Sequence, residues 1–180
     1  MTTIPIRLGI SSCLLGHPVR YDGGHKRADH LVSGLSWPVE WVPVCPEVEA
    51  GLGVPREPMQ LVVAGSTIHL ITVDTRRDLT DQVAQFSVRR VHELKTLYLS
   101  GFVLKARSPS CGIEQVPLYN EQGSHRGNGT GLFADAVRTA FPAIPIVHEE
   151  HLADPARRDS FLMQVVEYHQ TFVIHHLGNH

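Results

Sequence analysis

Three cysteines, and no others, stand in this 180-residue chain. They are Cys13 in Ser11-Ser12-Cys13-Leu14-Leu15-Gly16, Cys45 in Pro43-Val44-Cys45-Pro46-Glu47, and Cys111 in Ser108-Pro109-Ser110-Cys111-Gly112. Each follows an apolar, strand-like run and sits in a turn of Ser, Pro or Gly. A free cysteine packs as a small hydrophobe and is common in cores, which explains one such residue more easily than three. If the runs are parallel neighbours, the three sulfurs meet at one edge of a sheet. Three thiolates on a soft metal centre leave a position open for a substrate. Structural zinc takes four ligands with cysteines paired at short spacing, and no such pair exists here. Iron–sulfur clusters are usually held by four cysteines. With three, a four-iron cluster keeps one iron free of protein, able to act as a Lewis acid or to bind a substrate heteroatom. A lone thiol nucleophile activated by a nearby cation is the other option.

The neighbours of the cysteines also carry chemistry. Glu47 lies two residues past Cys45 and reads equally as a proton relay or as a solvated loop carboxylate. The extended bias of a residue before proline is expected to turn it toward the sulfur's side. Ser108 is placed to hydrogen-bond a ligand or to cap its own turn. Lys105 and Arg107 could offset cluster or substrate charge, although Lys105 fits a surface role as well. Ser12, Asp22 and Arg107 are candidate substrate contacts, with Asp22-Gly23 equally able to form a turn unaided. Arg56 could brace the second loop. The glycines of 127–131, ahead of a helix, could offer amides to an anion, but they match no nucleotide-binding fingerprint. His148 and His151 are three apart and do not form a zinc-protease pair.

The elements that must position these groups read as an α/β fold, a Rossmann-like three-layer sandwich with a mostly parallel sheet and an inserted β-hairpin. Strands are expected at Ile4–Ile10, Glu40–Val44, Phe102–Ala106 and Ile144–Val147, with Pro43 awkward in a central strand. Leu61–Ala64 and Thr67–Val73, joined by Gly65-Ser66, form the hairpin. Helices are expected at about Arg27–Leu35, at Asp78–Ser100 stopped by Gly101, at Leu132–Phe141 capped by Thr130, and at Pro155–Val173. In the last, Phe161, Leu162, Val165, Val166, Tyr168 and Phe172 face the core. Residues 120–131 read as a glycine-rich loop. The chain reads as one domain over 1–180, with the motifs in about 7–147 and a C-terminal helix at about 155–173. Ligands of such sheets bind beyond the carboxyl ends of the strands, where every cysteine falls.

Bulk composition narrows the field. The chain is 42% hydrophobic and 19% charged with a net charge of −2. That fits a globular protein and gives no general pull toward nucleic acid or an anionic membrane. No apolar run approaches membrane-spanning length. The N-terminus lacks a signal-peptide pattern, and an odd cysteine count argues against a disulfide framework. The expected compartment is the cytoplasm and the expected partner a small-molecule substrate. His175, His176 and His180 read as a polar tail.

These segments together resemble a bacterial family long known only as a domain of unknown function, some of whose members are thiouracil desulfurases. The resemblance rests on Ser11–Gly16 with Val19–Gly24, on Pro43–Glu47 with Gly51-Leu52 and Pro55-Arg56, on Lys105–Gly112, and on Gly129–Ala134. It spans about residues 7–147. It implies a Rossmann-like domain with a [4Fe–4S] cluster on Cys13, Cys45 and Cys111, and with Glu47 and Ser108 as acid/base and substrate-orienting residues. The implied reaction is 2-thiouracil plus water giving uracil plus sulfide, the sulfur being taken by the iron that lacks a protein ligand. Two other readings stay open: a cluster-dependent dehydratase-like lyase, and a non-enzymatic cluster-containing accessory protein.

Overall fold

The computed structural model describes residues 4–32 and 38–175. In chain order the elements are β1 (Ile6–Ser11), a 3-10 turn (Ser12–Leu15), α1 (Asp29–Val32), β2 (Val39–Val44), α2 (Pro46–Glu49), β3 (Met59–Ala64) and β4 (Thr67–Thr72). Then come α3 (Thr80–Lys95), β5 (Gly101–Leu104), β6 (Val116–Asn120), β7 (His125–Gly129), α4 (Leu132–Ala140), β8 (Ile146–His148) and α5 (Pro155–Tyr168). Among these residues no helix is long and apolar enough to cross a membrane.

The first sheet is parallel, in the order β2-β1-β5-β8. Central β5 is buried along its whole length. Its alternating side chains feed two cores. Phe102 and Leu104 pack with Val91 and Leu94 of α3 and Phe133 and Val137 of α4. Val103 turns the other way, to Leu14, Leu31 and the α5 residues Phe161 and Val165. The sheet is thus covered by helices on both faces, as a parallel sheet requires. Pro43 lies on β2, an edge strand of this sheet, where proline is tolerated.

The expected hairpin is present as β3 and β4, but it does not stand alone. It joins a second hairpin, β6 and β7, through parallel β3–β6 pairing, giving a four-stranded sheet in the order β4-β3-β6-β7. The 120–131 segment is therefore a turn and a strand rather than a glycine-rich loop. Strand β7 is largely exposed and so carries no apolar alternation. Leu61, Leu70 and Val116 of this sheet pack on Leu79 and Val83 at the start of α3, so α3 contributes to both sheets' cores.

Several boundaries differ from expectation. Helix α3 ends at Lys95, and Tyr98 rather than Gly101 takes the left-handed backbone, with φ 53°. Gly101 opens β5 in a space where a Cβ would approach Val165 at 3.0 Å and Leu8 at 3.1 Å. Gly131, not Thr130, is the N-cap of α4, and Thr130 Oγ1 donates instead to Ile113 O at 3.0 Å. After α5 the chain widens into a π-helix at His169–Ile174. His169 and Val173 are buried there, and Phe172 is 49% exposed. The expected Arg27–Leu35 helix is seen as α1; residues 33–35, like His176 and His180, lie outside the described residues.

Candidate active site

Because the first sheet is parallel, its carboxyl ends share one edge. Strand β1 runs into the turn holding Cys13, β2 ends one residue before Cys45, and β5 leads into the turn holding Cys111. A cavity of about 360 Å³ opens at this edge, lined by all three cysteines together with Ser12, Glu47, Arg56, Lys105, Arg107 and Ser108. It lies where the chain leaves β1 for β2 on one side and β5 on the other, the switch point at which open α/β sheets bind ligands.

Each cysteine is set by local geometry. The 3-10 turn after β1 holds Cys13 and closes at Gly16, whose φ of 95° suits glycine. Cys45 is the N-cap of α2, and Glu49 turns back to accept its amide at 2.7 Å. Cys111 sits in a turn closed by Gly112 N–H donating to Ser108 O at 2.8 Å. Ser108 Oγ accepts the amides of Ser110 and Cys111 at 3.2 and 3.1 Å. Its own proton remains available to a ligand. Helix α4 presses on this turn: the amides of Phe133 and Ala134 both donate to Ser110 O, at 2.9 and 3.2 Å. The Gly131 amide donates to Gly112 O at 2.7 Å and the Leu132 amide to Pro109 O at 3.3 Å, so the amides at this helix start are engaged by the Cys111 turn rather than offered to an anion.

Glu47 is in a helical turn, not extended chain, and its carboxylate is aimed by its partners. Arg56 donates to Oε2 from Nε at 2.9 Å and Nη2 at 2.5 Å. Buried Ser110 donates to Oε1 at 3.0 Å. With Oε2 occupied twice, one lone pair of Oε1 is left for a reactant. Only 7% of the Arg56 side chain and 13% of the Glu47 side chain are exposed.

The thiols are shaped by burial and by one another. Burial pushes Cys13 up to about 11, with Arg20 drawing it down and Cys45 raising it further. Cys45 is also raised by burial. Cys111 is raised well above the usual thiol range, chiefly by burial, with the Ser11 hydroxyl opposing and the charges of Cys13, Glu47 and Cys45 adding. The three sulfurs therefore lie within electrostatic reach, and positive charge held among them would relieve both the desolvation and the repulsion of their ionised forms.

Lys105 is not a surface residue. Its Nζ pairs with Glu149 and donates to Ala106 O at 3.2 Å, while Glu149 Oε2 accepts the Ala106 amide at 2.7 Å. Arg107 adopts a left-handed φ of 57°, a strained setting for a non-glycine residue, and pairs with Glu150. Asp22 is not among the cavity-lining residues; it accepts the Gly24 amide at 2.9 Å and caps its own turn. Sequence reasoning did not find Ser110 or Glu149. The one available signal was the second serine of Ser-Pro-Ser-Cys, since a fully buried hydroxyl needs a partner. Glu114, His148 and His151 bring ligand atoms within 4.8 Å of one another. His148 Nε2, however, accepts the Ile113 amide at 2.8 Å, which commits the lone pair a metal would use.

The chain is similar to known proteins over most of its length. The chain is 29% identical over 154 residues to the uncharacterized protein YbbK of Bacillus subtilis (strain 168), covering 81% of this chain and 97% of that one. The solved structure of the [4Fe-4S]-dependent thiouracil desulfidase TudS superposes with a TM-score of 0.63 at 28% identity, over 86% of this chain and 98% of that one. The model of the 2-thiouracil desulfurase family matches residues 8–149, a span that holds every cysteine and all but the first two residues of the two sheets, and the chain belongs to that family.

Proposed function

We propose that this chain is a [4Fe–4S]-dependent desulfurase that converts a small thiocarbonyl compound, 2-thiouracil or a related thiolated pyrimidine, with water into the oxo compound and sulfide. The observation that carries the reading is the convergence of Cys13, Cys45 and Cys111, from three separate loops, on one cavity that also holds Glu47. The donor set fits such a cluster: three thiols, soft and mutually coupled, with no fourth cysteine in the chain. Bound there, the cluster supplies one iron without a protein ligand, whose preference for sulfur over oxygen favours C–S cleavage.

The remaining steps belong to the chain's own residues. The free lone pair of Glu47 Oε1 takes a proton from a water beside the thiocarbonyl carbon, and the same carboxyl can return it to the departing sulfur. Atoms balance as C=S plus water giving C=O plus hydrogen sulfide, with no net electron transfer. Ser108 directs its hydroxyl proton at a ring heteroatom, because its acceptor sites are taken by the turn. Arg107 and Ser12 border the substrate, and the cavity volume suits a single pyrimidine ring. Free thiols at all three cysteines go with a reducing, cytoplasmic setting.

Anaerobic purification tests the reading. Iron and acid-labile sulfide are expected in the ratio of a [4Fe–4S] cluster, with brown absorbance lost in Cys111→Ala, and 2-thiouracil is expected to release one sulfide per uracil formed. A colourless anaerobic protein would overturn it. So would a loaded protein that releases no sulfide from any thiolated pyrimidine and turns over a hydroxy acid instead.

A further inference from the structure

One side chain touches the loop of each cysteine, directly or through a single partner. Arg56 Nη2 donates to Val19 O at 2.9 Å, and its own amide donates to Tyr21 O at 2.8 Å, both in the loop after Cys13. Its Nε and Nη2 hold Glu47, two residues past Cys45. Through the other oxygen of Glu47 it reaches Ser110, the residue before Cys111. Nη1 closes the set on Gly53 O at 2.8 Å. Val19 O is also 4.0 Å from Cys45 Sγ, so the first two loops meet at this point as well. A guanidinium has five donors in a fixed fork, and a buried one aimed at three segments fixes their relative positions.

We infer that Arg56 is a positioning residue that brings the three thiols together before any cluster is bound. The inference rests on the three-cysteine reading above and goes beyond it: convergence is a property of the cluster-free chain, held by a residue that touches no sulfur. The role belongs to the fork rather than the charge. A lysine at 56 could keep one bond to Glu47 but could not span Glu47, Val19 and Gly53 together.

Anaerobic reconstitution of the cluster-free chain with ferrous iron and sulfide is the probe. Wild-type protein is expected to take up iron and sulfide in equal amounts, with a sulfur-to-iron absorption band and all three cysteines protected from alkylation. Arg56→Met is expected to weaken iron uptake at least tenfold and to leave a cysteine open to alkylation. Arg56→Lys should behave like Arg56→Met. Ser110→Ala, a small change that leaves Arg56 in place, should expose Cys111 alone, identified by mass spectrometry; it carries the test if the Arg56 variants fail to fold. Wild-type uptake by folded Arg56→Met would overturn the inference while leaving the cluster reading intact. Full rescue by Arg56→Lys would do the same, since charge alone would then suffice. Full protection of Cys111 in Ser110→Ala would cut the third link and overturn it too. A wild-type chain that takes up no iron and sulfide on its three thiols would instead remove the reading beneath it.

Discussion

A buried thiol reacts only after its proton is drawn off, and here burial works against that. With Cys13 near 11, about one part in a thousand is thiolate at pH 8, against roughly a quarter for a free thiol of ordinary pKa. Alkylation of Cys13 in the cluster-free protein should therefore be at least tenfold slower than for free cysteine at pH 8, and should climb steeply toward pH 11; a rate like free cysteine's at pH 8 would contradict the burial argument. Glu47→Gln probes the carboxylate. A glutamine can accept from Arg56 with its oxygen and donate to Ser110 Oγ with its nitrogen, so the links between loops survive and the base is lost. Turnover should fall about 10²- to 10⁴-fold with iron content unchanged, measured as sulfide release per cluster. At this scale the sequence was most legible where chemistry is rare. Three cysteines in like settings announce themselves, and Glu47 and Ser108 lie beside two of them. Ser110 and Glu149 stayed hidden because their partners are 63 and 44 residues away, and nothing local marks a serine or glutamate as buried.

Parallel strands were legible at the level of elements because an apolar run buried on both faces ends abruptly in turn residues, and those endings place the cysteines. The second hairpin was not legible, since exposed β7 is His-Arg-Gly-Asn-Gly and reads as a loop; it is a strand only because β6 offers it an edge. The Cys111 turn depends on another element, α4, whose first turn lies against it. At Gly131 a Cβ would stand 2.5 Å from Ser110 C and O and 3.0 Å from Cys111 N, with only backbone available to move. Gly131→Ala should thus shift α4 or the turn, at a cost of about 1–3 kcal/mol in stability, and should lower iron content in the anaerobically purified protein. Denaturant unfolding and iron analysis check both effects. Wild-type values in the variant would mean that α4 does not brace the turn.

Across the whole molecule, two buried histidines tie distant segments and carry a dependence on pH. His169 bridges the two ends of the chain. Its Nε2 donates to Ile4 O at 3.2 Å, and in the neutral ring that burial favours Nδ1 accepts from Ser100 Oγ at 2.8 Å. His148, at the end of β8, accepts the Ile113 amide beside the Cys111 turn; protonation would set two donors face to face. Burial lowers both rings' pKa values below the usual 6.5. The unfolded chain therefore binds protons more readily than the folded one, and stability rises with pH through this range. The contribution is complete above about pH 6.5 and is lost as pH falls below it. The carboxylates held low, such as Asp78 and Glu150, begin to lose theirs only near pH 4.5 and below, so the window from pH 6.5 to 5 belongs to the histidines. The melting temperature of cluster-free protein should fall across that window, with a shallower slope in His169→Gln, which keeps an amide donor for Ile4 O but cannot take up a proton. A melting temperature that stays level or rises between pH 6.5 and 5, or a His169→Gln slope equal to wild type, would show that these rings do not couple the fold to the proton.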